Sequence, residues 1–319
     1  SRQLPPGSSI CILPEHQGIG GPASFRARIT KGLETRGMTV HSDPMRMGTH
    51  CILVIGGTRR LDLLWRAKKM DIRIIQRLNG MNWVHRKTNT GMRHYLRAEF
   101  NNWILATIRH FLADGIIYQS HFTEKWWNEV YGKVNGPTSV IYNGVDLTAY
   151  SPKGKEKPPS DRIRLLVIEG RFEGGYHIGL DNAIQFSKAF MDKNDREVEL
   201  VVIGDTPAAL RSKYESLGWI SWQGIVTRDQ IPGFCRSAHL LFSADIKAAC
   251  PNSVIEALAC GLPVISYDTG ALKEMVGEIA GAIKPYGADF SELESAFPGE
   301  LVVAAAIILN NQASFRKSA

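Results

Sequence analysis

No stretch of the sequence is apolar for long enough to cross a bilayer. The longest uninterrupted run, Leu301 to Leu309, falls well short of the ~20 residues that a spanning helix needs. The basic-then-apolar layout of a secretory signal is also missing at the start, so the expected location is the cytoplasm or the inner membrane surface. Cysteine is scarce. The five residues, at 11, 51, 235, 250 and 260, are odd in number and follow no metal-ligand spacing, which argues against a disulfide framework and against a metal centre. They read as reduced, mostly buried thiols. Cys250 is the one to follow, because it precedes a candidate helix start where a thiolate would be favoured, although a small apolar filler is the simpler reading. Internal repeats and low-complexity segments are absent, and the composition, 44% apolar and 22% charged, excludes a disordered chain.

What is present is length and unevenly placed charge. At 319 residues the chain exceeds what one core usually supports, so two domains are expected, 1–155 and 156–319, joined through the Pro-, Lys- and Gly-rich stretch 151–161. Net charge is +7, yet Arg59 to Arg97 alone nets +9, leaving the remainder at −2. Within that window, residues 59–70 have a basic amphipathic helical pattern with Leu61, Leu64 and Trp65 on one face. Such a helix either touches an anionic membrane surface or is an ordinary packed helix with a solvated basic face. A nucleic-acid partner is not expected, since no recognition module accompanies the charge.

Strands and helices alternate twice. In the first half, strands are expected at 9–13, 37–41, 51–55, 72–76, 115–119 and 139–142. Helices are expected at 23–36, where Phe25, Ile29 and Leu33 form a stripe, and at 95–112 and 122–131. A second series follows the linker, with strands at 163–168, 198–203, 220–222, 240–242 and 264–266 and helices between them. Alternation of this kind predicts an α/β protein with two Rossmann-like, doubly wound domains facing a cleft. The last stretch, 292–310, reads as helical, with packing back onto the N-terminal domain as one option.

One segment organises the second half: Pro251-Asn252-Ser253-Val254-Ile255-Glu256-Ala257-Leu258-Ala259-Cys260-Gly261-Leu262-Pro263-Val264-Ile265. It reads as loop, helix, turn and strand, with Asn252 or Ser253 capping the helix and Gly261 ending it in the left-handed conformation. Free amides and the helix dipole at such a start make a phosphate site.

Taken in order, four pieces resemble the retaining family 4 glycosyltransferases of the GT-B fold. They are Gly20-Gly21 after the first strand, Ile141-Tyr142-Asn143-Gly144-Val145-Asp146, Glu169-Gly170-Arg171, and Asn252 to Val264. The resemblance implies transfer of a sugar from a nucleotide-diphosphate sugar to an acceptor hydroxyl of a glycan or lipid-linked molecule. That donor is a substrate, and no cofactor or metal is implied. Arg171 would stabilise the departing diphosphate, whose charge grows as the glycosidic bond breaks. The amides of Ser253 and Val254 would hold the phosphates, Glu256 would accept the ribose hydroxyls, and the backbone at Gly224 and Ile225 would read the base. Gly20, Gly21 and Asn252 complete the donor set, and Asn79 would orient the transferred sugar or the acceptor.

Each assignment has a duller reading. Ser253-Val254-Ile255-Glu256 also fits a capping box. Gly20-Gly21 is also compatible with a plain turn or a dinucleotide fingerprint, although the full G-x-G-x-x-G is absent. Arg171 could simply pair with Glu173. Three positions also depart from the resemblance: Ala248 stands where a first glutamate is expected, Tyr176 (with His177 adjacent) where a lysine is expected, and Asn79 where many relatives carry a histidine or aspartate. Tyr176, His177 and Cys250 therefore become candidate sugar-side residues. These departures keep two further readings open, a catalytically silent homologue that binds a nucleotide sugar or a partner enzyme, and a sugar-nucleotide isomerase.

Overall fold

The computed structural model describes residues 5, 7–15, 21–88, 91–173 and 177–319. Two compact units divide the chain, Ser1–Asn143 and Gly144–Ala319. The division falls ahead of the 151–161 stretch because that stretch is tied to the second unit, where Tyr150 is buried in the core and Glu156 pairs with Arg236 at 2.7 Å.

The first unit runs β1 (Ser9–Leu13), α1 (Gly21–Glu34), β2 (Thr39–His41), β3 (Thr49–Ile55), α2 (Leu61–Lys69), β4 (Arg73–Leu78), α3 (Met92–Thr107), β5 (Gly115–Tyr118), α4 (His121–Tyr131) and β6 (Thr138–Val140). Its strands are all parallel, in the order β2-β1-β3-β4-β5-β6. Parallel strands covered on both faces need apolar side chains in succession, and β1 and β3 supply them. Ile10, Ile12 and Ile55 meet the Phe25, Ile29 and Leu33 stripe of α1, while Cys11, Ile52 and Val54 meet Leu64 and Ala67 of α2 and Ile104 of α3 on the opposite face.

The second unit repeats the plan with β7 (Ile163–Arg171), α5 (His177–Asn194), β8 (Val198–Asp205), α6 (Ala208–Lys213), β9 (Ile220–Gly224), α7 (Ile231–Arg236), β10 (Leu240–Phe242), α8 (Asn252–Ala259), β11 (Val264–Tyr267), α9 (Leu272–Val276), β12 (Gly281–Lys284), α10 (Gly299–Asn310) and α11 (Gln312–Ser318). The strand order is β12-β11-β10-β7-β8-β9, again wholly parallel. Phe186 of α5 and Phe242 of β10 pack at 5.7 Å between ring centres on one face. Val254 and Ala257 of α8 pack on the other against Leu166, Val201 and Leu241.

Three elements went unread in the sequence: α9, α11 and the edge strand β12, whose four residues carry too short an apolar signal. The final helical stretch is also broken differently. It starts after Pro298 instead of at Glu292 and ends at Asn310, and α11 follows it, bonded within its own unit, Gln312 Nε2 donating to His239 O at 3.1 Å and Arg316 to Ala238 O.

The end of α8 follows the sequence reading closely. Gly261 has φ +70°, Leu262 N donates to Ala257 O and Gly261 N to Leu258 O, both at 2.9 Å, which is the Schellman arrangement. A Cβ at Gly261 would also sit 3.1 Å from Arg316 O. Gly261→Ala should therefore cost about 1–2 kcal/mol from the left-handed backbone, read as a lower midpoint in chemical denaturation; an unchanged midpoint would contradict this account of the turn.

Candidate functional site

In the second unit, β7 has β8 on one side and β10 on the other, so the chain winds in opposite directions from β7 and the crevice opens at the carboxyl ends of β7 and β10. Sequence-derived candidates lie at strand ends on this rim. Arg171 closes β7, Gly224 closes β9 with Ile225 after it, and the loop from β10 leads into α8.

The start of α8 differs from both capping expectations. Its N-cap is Pro251 in extended conformation, with no side-chain cap bond, so neither Asn252 nor Ser253 caps the helix. A proline cannot supply a capping oxygen, and Asn252 is already the first helical residue. With Ser253 inside the helix, the reciprocal box to Glu256 does not form. The earliest backbone bond at this end is Ile255 N to Pro251 O, at 3.5 Å, so the amides of Ser253 and Val254 lie ahead of the helical ladder and point out of its end. Ser253 and Glu256 are buried, and Val254 is fixed in the core.

Arg171 is exposed (62%), and its guanidinium is held by Asp205 Oδ2 at 2.9 Å and Glu173 Oε2 at 3.2 Å. The β7–β8 ladder slips between Ile168 and Arg171, a bulge of the kind that re-aims a side chain at a strand end. Gly204 lets the two strand ends approach, because a Cβ there would come within 2.2 Å of Glu169 O.

Two carboxyl groups to which the sequence reading gave no role flank the same crevice. Glu169 lies two residues before Arg171, and Asp245 follows β10. Burial pushes the Glu169 carboxyl well above the usual carboxylate range, and the neighbouring Asp245 charge raises it further; its Oε1 is sealed from solvent and accepts no hydrogen bond. Burial alone pushes Asp245 up to about 7. Asp245 shares a small cavity with Ser243, Ser266 and Tyr286, and Ser243 Oγ there is also without a partner. The helix α5 closes over this edge, where a Cβ at Gly179 would run into Ala244 O. His177 begins that helix, half-buried. A cue was available in the sequence, since an acid that directly continues a buried parallel strand is unusual.

Ala248, at the place of the expected first glutamate, is fully buried among Val254, Leu272 and Val276, and its carbonyl accepts from Ala271 N at 2.8 Å. Cys250 is buried as well. Tyr176 and Gly20 lie outside the described residues, and Gly21 is the exposed first residue of α1.

In the first unit, Asn79 follows β4 and is fixed through both oxygens. Its side-chain Oδ1 accepts from Arg77 NH1 at 3.1 Å and from Gln119 Nε2, and its backbone O accepts from Trp127 Nε1 at 2.8 Å. With Oδ1 committed to two donors, Nδ2 is the group left to address a ligand. Arg77, which also reaches Asn143 Oδ1 and lies 3.6 Å over the Phe25 ring, thus holds the Asn79 side chain in place, as does Gln119. The signal was Arg77 itself, a charge within a buried strand. The basic helix α2 divides its apolar side, with Leu64 in the core and Trp65 52% exposed under Lys69, 3.6 Å from the ring centre. Farther along, Leu96, Phe100 and Trp103 of α3 are exposed. Among the described residues no helix is long and apolar enough to cross a membrane.

Two family models match the chain. Residues 53–149 match the model described as Glycosyltransferase Family 4, and residues 164–295 the one described as Glycosyl transferases group 1. A curated relative, the gpi3 subunit of phosphatidylinositol N-acetylglucosaminyltransferase from Schizosaccharomyces pombe, is 26% identical over 143 residues, 43% of this chain and 30% of that protein. The match therefore spans less than a third of the relative's length. Among solved structures, sucrose-phosphate synthase from Thermosynechococcus elongatus superposes with a TM-score of 0.72 at 16% identity, covering 97% of this chain and 91% of the other. HepE from Anabaena, in complex with UDP and glucose, gives 0.64 at 16% identity, covering 96% and 94%. At such identities these likenesses establish the GT-B fold.

Two outcomes test this geometry. Because the folded state holds Asp245 protonated up to about pH 7 while the unfolded chain releases the proton near its ordinary value of 3.8, stability should fall as pH rises from about 4 to about 7, the Asp245 contribution levelling off above. Asp245→Asn should flatten that decline in denaturation midpoints measured across the range, and an unchanged slope would remove the buried acid from the account. Ala248→Glu places a carboxyl in a filled core and should destabilise by about 2 kcal/mol or more, also visible in the denaturation midpoint.

Proposed function

Because the chain belongs to glycosyltransferase family 4 of the GT-B fold, we propose that it transfers a sugar from a nucleotide-diphosphate sugar to an acceptor hydroxyl, with retention of configuration and without a metal ion. The observation that carries this reading is the start of α8, where the Ser253 and Val254 amides precede the helical ladder beside the buried Glu256. That arrangement binds a diphosphate by hydrogen bonds and helix dipole. In the reaction the bond from the sugar's anomeric carbon to the diphosphate oxygen breaks, a bond to the acceptor oxygen forms, and the acceptor's proton passes to the departing phosphate.

Arg171 stabilises the charge that grows on that phosphate. Its present partners do not prevent this, since exposed ion pairs contribute only ~0–1 kcal/mol and a diphosphate offers a stronger, bidentate contact. Glu256 receives the ribose hydroxyls, Gly224 and Ile225 border the base, and the Asn79 amide orients the sugar or acceptor. His177 and Cys250 stand on the sugar side. HepE, with UDP and glucose bound, supports a nucleotide-sugar donor by likeness of fold. We place the acceptor on a glycan or lipid presented at an anionic membrane surface, in keeping with Trp65 and Trp103 exposed on a unit rich in basic residues.

A second reading is a silent homologue that binds a nucleotide sugar without transferring it. It draws on the burial of Ala248, which leaves no place for a carboxylate toward the donor sugar.

Arg171→Ala should leave the denaturation midpoint unchanged and lower turnover of a nucleotide-sugar panel by about two to three powers of ten; near-normal turnover would remove its role. Calorimetric donor binding without hydrolysis or transfer by the unaltered protein would favour the silent reading. In co-sedimentation, vesicles with acidic lipid should retain more protein than neutral ones, and Trp103→Ser should reduce that recovery. Equal recovery on both vesicles would refute membrane contact.

A further inference from the structure

The long helix of the first unit does not end as an α-helix. From Ile108 to Leu112 it widens to π geometry, and Ala113 N donates to Ile108 O at 2.8 Å. Single π turns are rare and concentrate at functional sites. Here the turn carries Arg109, which is 2% exposed. Its guanidinium ties β5 and α4 to the turn, Nε donating to Tyr118 Oη at 3.0 Å, NH2 to Asn128 Oδ1 at 2.6 Å and NH1 to His110 Nε2 at 2.9 Å.

None of these partners is a carboxylate. Among the described residues no acid forms an ion pair with Arg109, and the acids on adjoining elements are engaged elsewhere. Asp114 is held by Lys68 Nζ at 2.8 Å and Ile74 N at 2.9 Å, Glu124 accepts from Thr138 at 3.3 Å, and Glu129 lies 3.8 Å from Lys125. A buried full charge without a counter-charge is unusual, because its desolvation is not offset by attraction. The His110 contact is compromised too, since the same Nε2 lies 2.9 Å from Tyr131 O. One ring nitrogen cannot both accept from a guanidinium and donate to a carbonyl.

Beside Arg109 opens a polar cavity of about 150 Å³, lined also by His110, Lys133 and the loop residues Val134, Asn135 and Gly136. The amides of those three loop residues make no backbone hydrogen bond within the described residues. The cavity lies at the amino-terminal rim of the sheet, where β5 begins at Gly115, the opposite rim from Asn79.

We propose that this cavity is an anion site for a single phosphate group, free or as a monoester, held by the Arg109 fork, Lys133 and the 134–136 amides. The anion supplies the missing counter-charge, and it frees His110 to donate to Tyr131 O. Guanidinium, ammonium and consecutive amides are the donor set that phosphate recruits. The volume admits one phosphate and is too small for a nucleotide, whose pockets run to about 300 Å³ or more, so this is not a second donor site.

The test follows the backbone amide signals of Val134, Asn135 and Gly136 by NMR during titration with inorganic phosphate, against chloride at matched ionic strength. This readout is local, so phosphate bound in the second unit does not register. Saturable shifts with phosphate alone are expected. Lys133→Gln, a change at an exposed residue, should weaken the affinity about tenfold, one charge-assisted contact. Arg109→Gln should abolish binding if it folds, and Lys133→Gln decides the matter if it does not. Glycerol phosphate in a parallel titration separates the sources: tighter binding than phosphate assigns an ester, weaker binding assigns the free ion, and either upholds the site. Amide signals that respond no more to phosphate than to chloride, or an affinity unaltered by Lys133→Gln, would overturn it.

Discussion

A strand can pair in parallel with its predecessor only after a crossover, and that constraint sets where chemistry can lie in both units. Every crossover starts from the same rim of its sheet, so residues distant in sequence arrive together there. Arg171 after β7, Asp245 after β10 and the amides that begin α8 share one rim of the second sheet, and Asn79 and Gln119 share one rim of the first. The apolar strands beneath are rigid because Leu165, Val167, Leu200 and Leu240 are packed on one face and Leu166, Val201 and Leu241 on the other. The rim is therefore held at fixed spacing by the packed strands beneath it.

Electrostatics in that crevice is set by burial more than by formal charge. Glu169, Asp245, Asp205 and Glu173 lie along the rim that carries Arg171, and by formal charge alone they would make it acidic and hostile to a diphosphate. Burial changes the balance. Burial pushes the Glu169 carboxyl well above the usual carboxylate range and Asp245 up to about 7, while Asp205 and Glu173 spend their charges on Arg171. The outward-pointing amides of α8 then face fewer competing negative charges. The same logic, inverted, applies to the π turn of the first unit, where burial leaves a positive charge among neutral partners.

The alternation of elements was legible in the chain, because parallel strands and amphipathic helices impose their periods on neighbouring residues. The Phe25, Ile29 and Leu33 stripe and the Gly261 turn were read correctly for that reason. The start of α8 was misread by one or two residues. Asn252 and Ser253 are good capping types, but the loop from Asp245 arrives with Pro251 extended, and propensity at one position cannot overrule that path. On α3, Leu96, Phe100 and Trp103 have the spacing of a core face, yet the sheet is covered by Ile104 and Ile108 instead, which leaves the aromatic stripe outside.

By itself, then, the sequence determined the two doubly wound sheets, the order of their elements and the motif that places α8 behind β10, since all of these rest on local periodicity and backbone stereochemistry. Only the tertiary structure decided which charged groups matter and in what state: that Arg171 pairs with Asp205, that the half-buried Glu169 and Asp245 carboxyls are pushed above the usual carboxylate range, that Asn79 is locked by Arg77 and Gln119, and that Arg109 has no counter-ion among the described residues. Desolvation and pairing depend on neighbours brought from distant parts of the chain, and no short window of residues contains them.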